Sequence, residues 1–286
     1  MPTNVETDSV TGTETTGHEW DGIKELNTPL PRWWIIVFWV TVIWSGLYYV
    51  LYPTLPGWDG IWQYTARKDI AARMEALQAG RAEWTDKLAV ASLDEIERDP
   101  DLMAFAVAGG RAAFADNCAP CHGAGGAGGP GFPNLLDDDW LWGGTVDSIR
   151  TTLVHGVRWP QDDDTRLSAM PRFGVDELLT PAQINDTAEY VLSLSGTATD
   201  PAAAQRGQEI FAENCAACHG ESGQGNREFG APRLSDAIWL YGGDKATVVQ
   251  TITAARGGVM PAWGGRLDEV TIKQLAVYVH SLGGGE

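Results

Sequence analysis

The longest apolar run in the chain is Trp33 to Tyr52, twenty residues without a charge. At about 1.5 Å of rise per helical residue, such a run crosses a hydrocarbon core of about 30 Å. Trp33 and Trp34 at one end and Tyr48, Tyr49 and Tyr52 at the other are placed like interfacial anchors. The pattern predicts a transmembrane helix over 32–52. A cleaved signal peptide fits poorly, because a long acidic segment precedes the run and no small-residue cleavage site follows it. Residues 1–17 are Thr-rich, acidic and aperiodic, which predicts a flexible tail. Thr28-Pro29-Leu30-Pro31 breaks any helix ahead of the run, so 1–31 reads as an N-terminal tail.

Residues 53–98 start with turn formers (Pro53, Pro56, Gly57, Gly60) and continue with Ile70, Met74 and Leu77 at helical spacing. Ser92 and Glu95 make a capping box. This stretch predicts an ordered connector packed on something. Asp99 as N-cap and Pro100 at the first helical position then open a new helix.

From that helix onward the chain repeats. Gly110 to Phe114 parallels Gly207 to Phe211 at an offset of 97. Pro133-Asn134-Leu135 parallels Pro232-Arg233-Leu234, and Trp140 to Gly144 parallels Trp239 to Gly243, both at 99. Met170-Pro171 parallels Met260-Pro261 at 90, so the first copy carries about nine extra residues around Trp159 to Asp164. Each copy ends in a helix with one apolar face: Ile184, Ala188, Val191 and Leu192 in one, Ile272, Leu275, Ala276 and Val279 in the other. Gly110 and Gly207 leave room for leading and final helices to cross. Phe114, Phe211, Tyr190 and Tyr278 are positioned to pack there. The predicted fold is all-α: one N-terminal transmembrane helix, then tandem domains over 99–198 and 199–286.

The repeat carries its chemistry in Cys118-Ala119-Pro120-Cys121-His122 and Cys215-Ala216-Ala217-Cys218-His219. A Cys-x-x-Cys-His run is the attachment signal for c-type haem. Two thiols at that spacing form thioethers to the haem vinyl groups, and the adjacent histidine supplies an axial nitrogen. The rival reading, a redox or zinc Cys-x-x-Cys, leaves both trailing histidines unexplained. The order helix, haem motif, loop, helix, methionine loop, helix is that of a small cytochrome c domain, twice over, with two covalent haems. Covalent haem is attached on the outer side of energy-coupling membranes. That places 53–286 in the periplasm and 1–31 in the cytoplasm, where flanking Lys and Arg alone leave orientation tied.

His122 and His219 are the expected proximal ligands, with the carbonyls of Pro133 and Pro232 as acceptors for their second ring nitrogens. Met170 and Met260 are the expected sixth ligands, since both lie in a Met-Pro loop after the haem motif. Whether each serves its own repeat stays open. His155, present in the first copy alone, is the competitor for Met170; His280 lies off the apolar face and reads as solvated. Gly123 to Gly128 matches G-x-G-x-x-G but follows no strand, so a dinucleotide site is excluded. A net charge of −18 excludes nucleic acid as a partner. Residues 101–199 carry 13 acids and 5 bases (net −8) against 10 and 7 (net −3) in 200–286. With Asp137 to Asp139 and Asp162 to Asp164, this favours the first domain as docking face for a basic donor.

The stretch from His18 to Trp34, HEWDGIKELNTPLPRWW, followed by one anchor and two Cys-x-x-Cys-His domains, resembles the dihaem membrane-anchored subunit III of cbb3-type cytochrome c oxidases. The resemblance implies a subunit of the bacterial inner membrane with no active site of its own. It would accept electrons from a c-type cytochrome and relay them through two haems to a monohaem subunit and the catalytic haem–copper subunit. The residues alone reach a membrane-anchored, periplasmic, dihaem electron carrier. An electron-transfer subunit of another periplasmic oxidoreductase is the alternative. A dihaem peroxidase would need an open haem position, which paired Met-Pro loops argue against. A non-redox assembly factor would have no use for two complete haem sites.

Overall fold

A computed structural model of the chain describes residues 4–236 and 238–284. The first three residues of the expected tail and the last two of the expected second domain lie outside them. The chain divides into two units, residues 1–80 and 81–286.

The first unit corrects the all-α expectation. Strands β1 (Thr15–Trp20) and β2 (Ile23–Leu26) pair antiparallel, with Trp20 opposite Ile23 and Thr15 opposite Leu26. Asp21 and Gly22 both take positive φ (50° and 85°), as a two-residue hairpin turn of the right twist requires. The expected tail is drawn into this hairpin: Thr7 bridges Glu14, and Lys24 pairs with Glu6 at 2.5 Å. Helix α1 (Arg32–Leu51) follows Pro31 and coincides with the predicted span; every residue of it up to Val50 is exposed. Helix α2 (Ala66–Val90) starts in this unit and ends in the next. Its Ile70, Met74 and Leu77 are exposed, whereas Leu88 near its end, and Leu93 and Ile96 just beyond it, are buried.

In the second unit the capping box of Ser92 and Glu95 opens α3 (Leu93–Arg98), and Asp99 caps α4 (Pro100–Asn117). One-turn helices α5 (Ala119–His122) and α9 (Ala216–His219) carry the Cys-x-x-Cys-His motifs. The remaining helices are α6 (Val146–His155), α7 (Pro181–Leu194), α8 (Pro201–Asn214), α10 (Lys245–Ala254) and α11 (Glu269–His280).

Their packing crosses the sequence repeat. One core joins Leu102, Ala106 and Phe114 of α4 and Ile149 and Leu153 of α6 to Ile272, Leu275 and Val279 of α11. The other joins Phe211 of α8 and Val248 and Ile252 of α10 to Ile184, Ala188 and Leu192 of α7. Each leading helix therefore packs on the final helix of the other copy, so the stretches 99–198 and 199–286 share their helices across the boundary between them. The crossings have the expected chemistry. A Cβ on Gly110 would collide with the Gln274 carbonyl and with Tyr278 of α11; one on Gly207 would collide with the Asp186 carbonyl of α7. Phe114 meets Tyr278 at 5.4 Å between ring centroids, and Phe211 meets Tyr190 at 5.0 Å. Ion pairs also join α6 to α11, through Arg150 and Glu269 (2.7 Å), and α8 to α7, through Arg206 and Asp186 (2.6 Å).

Candidate functional site

Each Cys-x-x-Cys-His motif follows the C-terminus of a leading helix and ends at a glycine with positive φ, Gly123 (78°) and Gly220 (80°). That turn lets the next segment return over the motif. Gly128 N–H donates to the His122 carbonyl, and Gly225 N–H donates to that of His219. The first cysteine of each motif is buried and the second exposed. Burial pushes the thiols of Cys118 and Cys215 up to about 11, so both are protonated at neutral pH. Zinc binding and disulfide exchange need a thiolate, and these sites disfavour one.

His122 Nδ1 lies 3.0 Å from the Pro133 carbonyl oxygen, and His219 Nδ1 lies 3.0 Å from that of Pro232. A carbonyl only accepts, so Nδ1 carries the proton and Nε2 keeps its lone pair. Burial lowers both histidine pKa values, against a smaller opposing effect of the proline carbonyls. Neutral imidazoles with a fixed tautomer and a free Nε2 are what iron ligation requires.

The methionines are exchanged along with the helices. Met260 packs against the core that contains Cys118, and Met170 against the core that contains Cys215. Equivalent backbone bonds seat both loops. Gly264 N–H donates to the Val154 carbonyl at the end of α6, and Gly174 N–H to that of Thr253 at the end of α10. Met260 and Val157 also exchange both backbone bonds at 3.0 Å. His155 is turned toward Asp162 of the inserted loop (3.1 Å). His280 is paired with Glu97 at 3.2 Å rather than solvated.

Three arginines escaped the sequence reading. Arg166 lies over the Trp142 ring (5.3 Å) and donates to Thr152 Oγ1 and the Ser148 carbonyl; Arg256 lies over Tyr241 (4.5 Å) and donates to Thr251 Oγ1 and the Thr247 carbonyl. Arg158 donates to the carbonyls of Gly258 and Ser168. All three are half-buried, and among the described residues their hydrogen bonds go to carbonyls and hydroxyls, never to a carboxylate. Burial lowers the pKa of Arg158 and Arg166. Half-buried guanidinium groups without anions, in a chain of net charge −18, fit a bound group that brings its own carboxylates. Haem has two such propionates. The signal was in the sequence: Arg166 and Arg256 each stand four residues before the methionine of the same repeat.

Comparison with known proteins gives three family matches. The family described as the N-terminal domain of cytochrome oxidase-cbb3, FixP, matches residues 12–59. Cytochrome c matches 107–195, and cytochrome C oxidase, cbb3-type, subunit III matches 202–279. Among individual relatives, the cbb3-type cytochrome c oxidase subunit FixP of Bradyrhizobium sp. (strain ORS 278) is 54% identical, with 100% of each chain covered. FixP of Azorhizobium caulinodans is 55% identical over 98% of this chain and 96% of its own. Subunit CcoP of Cereibacter sphaeroides is 52% identical over 95% of each.

Proposed function

The chain belongs to the family of cbb3-type cytochrome c oxidase subunits FixP and CcoP, and from that premise we propose that it is the dihaem electron relay of its oxidase. It takes electrons from a c-type cytochrome and passes them, through a monohaem subunit, to the catalytic haem–copper subunit. It has no reaction site of its own. Helix α1 anchors it in the inner membrane, with the hairpin cytoplasmic and the haem-bearing part periplasmic.

Haem bound through the two motifs supplies a one-electron iron couple. In the first site Cys118 and Cys121 would hold the haem covalently, with His122 Nε2 and Met260 sulfur as the residues that would ligate its iron. In the second, Cys215, Cys218, His219 and Met170 would do the same. Pro133 and Pro232 hold the imidazoles in the ligating tautomer. Arg158, Arg166 and Arg256 would meet the propionates and keep positive charge near the bound haem. A sixth sulfur ligand leaves no position for substrate, which suits electron transfer and not catalysis. The two sites are not independent modules, because each loop that would complete one haem is carried by the other repeat.

The observation that carries this reading is the placement of Met260 with Cys118 and of Met170 with Cys215. The test uses a chain with Cys215→Ala and Cys218→Ala, which retains one covalent haem. Its weak red-edge absorption band from iron–methionine bonding should survive Met170→His and vanish with Met260→His. The reverse result would restore pairing within each repeat. Loss with neither variant would remove both methionines as ligands.

A further inference from the structure

A helix leaves its last four carbonyls without intrahelical partners, to be met by capping groups, a tightened last turn or water. The C-terminus of α1 is different. The Tyr48 carbonyl accepts from Tyr52 N–H (2.9 Å), and the Tyr49 carbonyl accepts from the Trp58 indole Nε1–H (2.8 Å). The carbonyls of Val50 and Leu51 accept from the N–H groups of Ile61 (3.1 Å) and Trp62 (2.9 Å). The first of these is the ordinary bond from the helix's cap residue; the other three carbonyls are satisfied by residues 58–62 folding back on the helix end.

The fold-back is built for this. Leu55-Pro56-Gly57-Trp58 is a turn closed by Trp58 N–H to the Leu55 carbonyl at 3.0 Å, with Gly57 at φ 84°. Gly60 at φ 66° brings its backbone so close that a Cβ would stand 2.6 Å from the Leu51 oxygen. Tyr52 packs edge-on against Trp62 (5.0 Å) and Tyr64 (6.2 Å). The outer surface of this structure is nevertheless apolar: Leu55, Trp58, Ile61, Trp62 and Tyr64 are each at least half exposed. From Trp33 to Ala66 the one charge is Asp59, and Arg67 and Lys68 follow directly.

We propose that residues 53–64 are an interfacial membrane cap, seated on the outer leaflet at the boundary between acyl chains and headgroups. This rests on the reading of α1 as a membrane anchor. Internal satisfaction of carbonyls matters where water is scarce, because an unsatisfied polar group there costs several kcal/mol. Aromatic and aliphatic side chains with one polar edge are the chemistry of that boundary. Arg67 and Lys68 then fall at phosphate level, their stems against the apolar edge and their charges in the headgroups. Continuity with the span favours lipid over a protein partner as the occupant. Thr54 Oγ1 is buried without a hydrogen-bond partner, so the cap protects backbone carbonyls and not every polar group.

The test exploits the thioethers: in the haem-loaded chain the four native cysteines are consumed, so one introduced cysteine is the reactive thiol. Leu55→Cys, Ile61→Cys, Val42→Cys and Gln78→Cys variants of the full holoprotein, alone in phosphatidylcholine vesicles, are treated with a charged, membrane-impermeant maleimide. Gln78 is exposed on α2 and reports on aqueous access, and Val42 reports on the anchor. We expect labelling at positions 55 and 61 to be slower than at 78 by about tenfold or more, as burial at the acyl boundary implies. Equal rates at 55, 61 and 78 with position 42 protected would overturn the cap and leave the anchor standing. That would hold even if a neighbouring subunit protected 55 and 61 in the native complex. Rapid labelling at 42 as well would overturn the anchor and the cap together.

Discussion

Arg166 and Arg256 hold the same place in the two copies, clamped by a threonine hydroxyl and a carbonyl over an aromatic ring. A cation beside a haem favours the ferrous state, which carries one positive charge less. Arg166→Gln should therefore lower the potential of the haem attached at Cys118 and leave the other unchanged; Arg256→Gln should do the converse. If the guanidinium is worth a tenfold bias, the shift in a redox titration is about 60 mV for a one-electron couple. Glu189 makes a second case. Its side chain is buried, pairs with Lys245 at 2.8 Å, and accepts from Thr199 Oγ1 and from the N–H groups of Thr199 and Asp200. Lys245, then Thr199, hold its carboxyl down to about 2. A depressed acid stabilises the fold above its unfolded pKa, about 4.3, and loses that contribution as pH falls through about 2. Glu189→Gln should flatten the acid limb of a stability-against-pH curve in that window. Glu189→Ala should cost about 3 kcal/mol in a denaturant titration at neutral pH. The candidate cysteines, histidines and methionines stood out in the sequence because each has a chemistry its spacing makes specific. Glu189 did not: in one dimension it is an ordinary acid on a helix, and its role depends on where Lys245 arrives.

At the scale of elements, the exchange of final helices shows what periodicity can and cannot resolve. The face Ile184, Ala188, Val191, Leu192 and the face Ile272, Leu275, Ala276, Val279 are interchangeable in size and spacing. Either one suits either leading helix. What selects the partner is the connection. Helix α7 ends at Leu194 and α8 begins at Pro201, and short links favour antiparallel neighbours at low loop-closure cost. That link is further tied down by Glu189 through Thr199 and Asp200. At the other crossing Lys273 of α11 donates to the carbonyls of Leu88, Ala89 and Ala91, securing the segment that leads into α3. The length of the link was readable and would have pointed to the exchange. So would Asp21-Gly22 for the hairpin, whose strands are too short and too exposed to show a strong alternating pattern. The crossing glycines give the sharpest test. Gly110→Ala places a methyl against the Gln274 carbonyl and Tyr278, and rigid backbone cannot yield as a side-chain tip can. Thermal or denaturant unfolding should show a loss of about 1–3 kcal/mol, the usual range for overpacking. A neutral outcome would mean that α4 and α11 are not in this contact.

For the whole molecule, the exchange redistributes charge and so changes where a donor should dock. Counted by sequence repeat, the halves differ widely, net −8 against −3. Counted by what packs together, residues 99–168 with 257–284 carry 12 acids and 6 bases (net −6), and residues 169–256 carry 11 and 6 (net −5). The contrast that singled out the first repeat largely disappears. Its aspartate runs are weaker steering elements than they look. Asp162 is held by His155, and Asp137 and Asp139 are half-buried. Burial, reinforced by Asp236, pushes the Asp139 carboxyl up to about 6. The freely exposed members are Asp138, Asp163 and Asp164. A basic cytochrome c should feel these three, over a distance that salt limits to about 8 Å at physiological ionic strength. Changing all three to Asn should slow stopped-flow association about threefold at low salt, with wild type and variant converging at high salt, because rim charges act on encounter more than on the bound state. Asp139 adds a sign that can be checked in the same instrument. Its charge appears as pH rises through about 6, so the low-salt rate should increase between pH 5 and pH 7, and Asp139→Asn should remove that increase. A triple variant indistinguishable from wild type at every salt concentration would place the donor's docking face away from both aspartate runs.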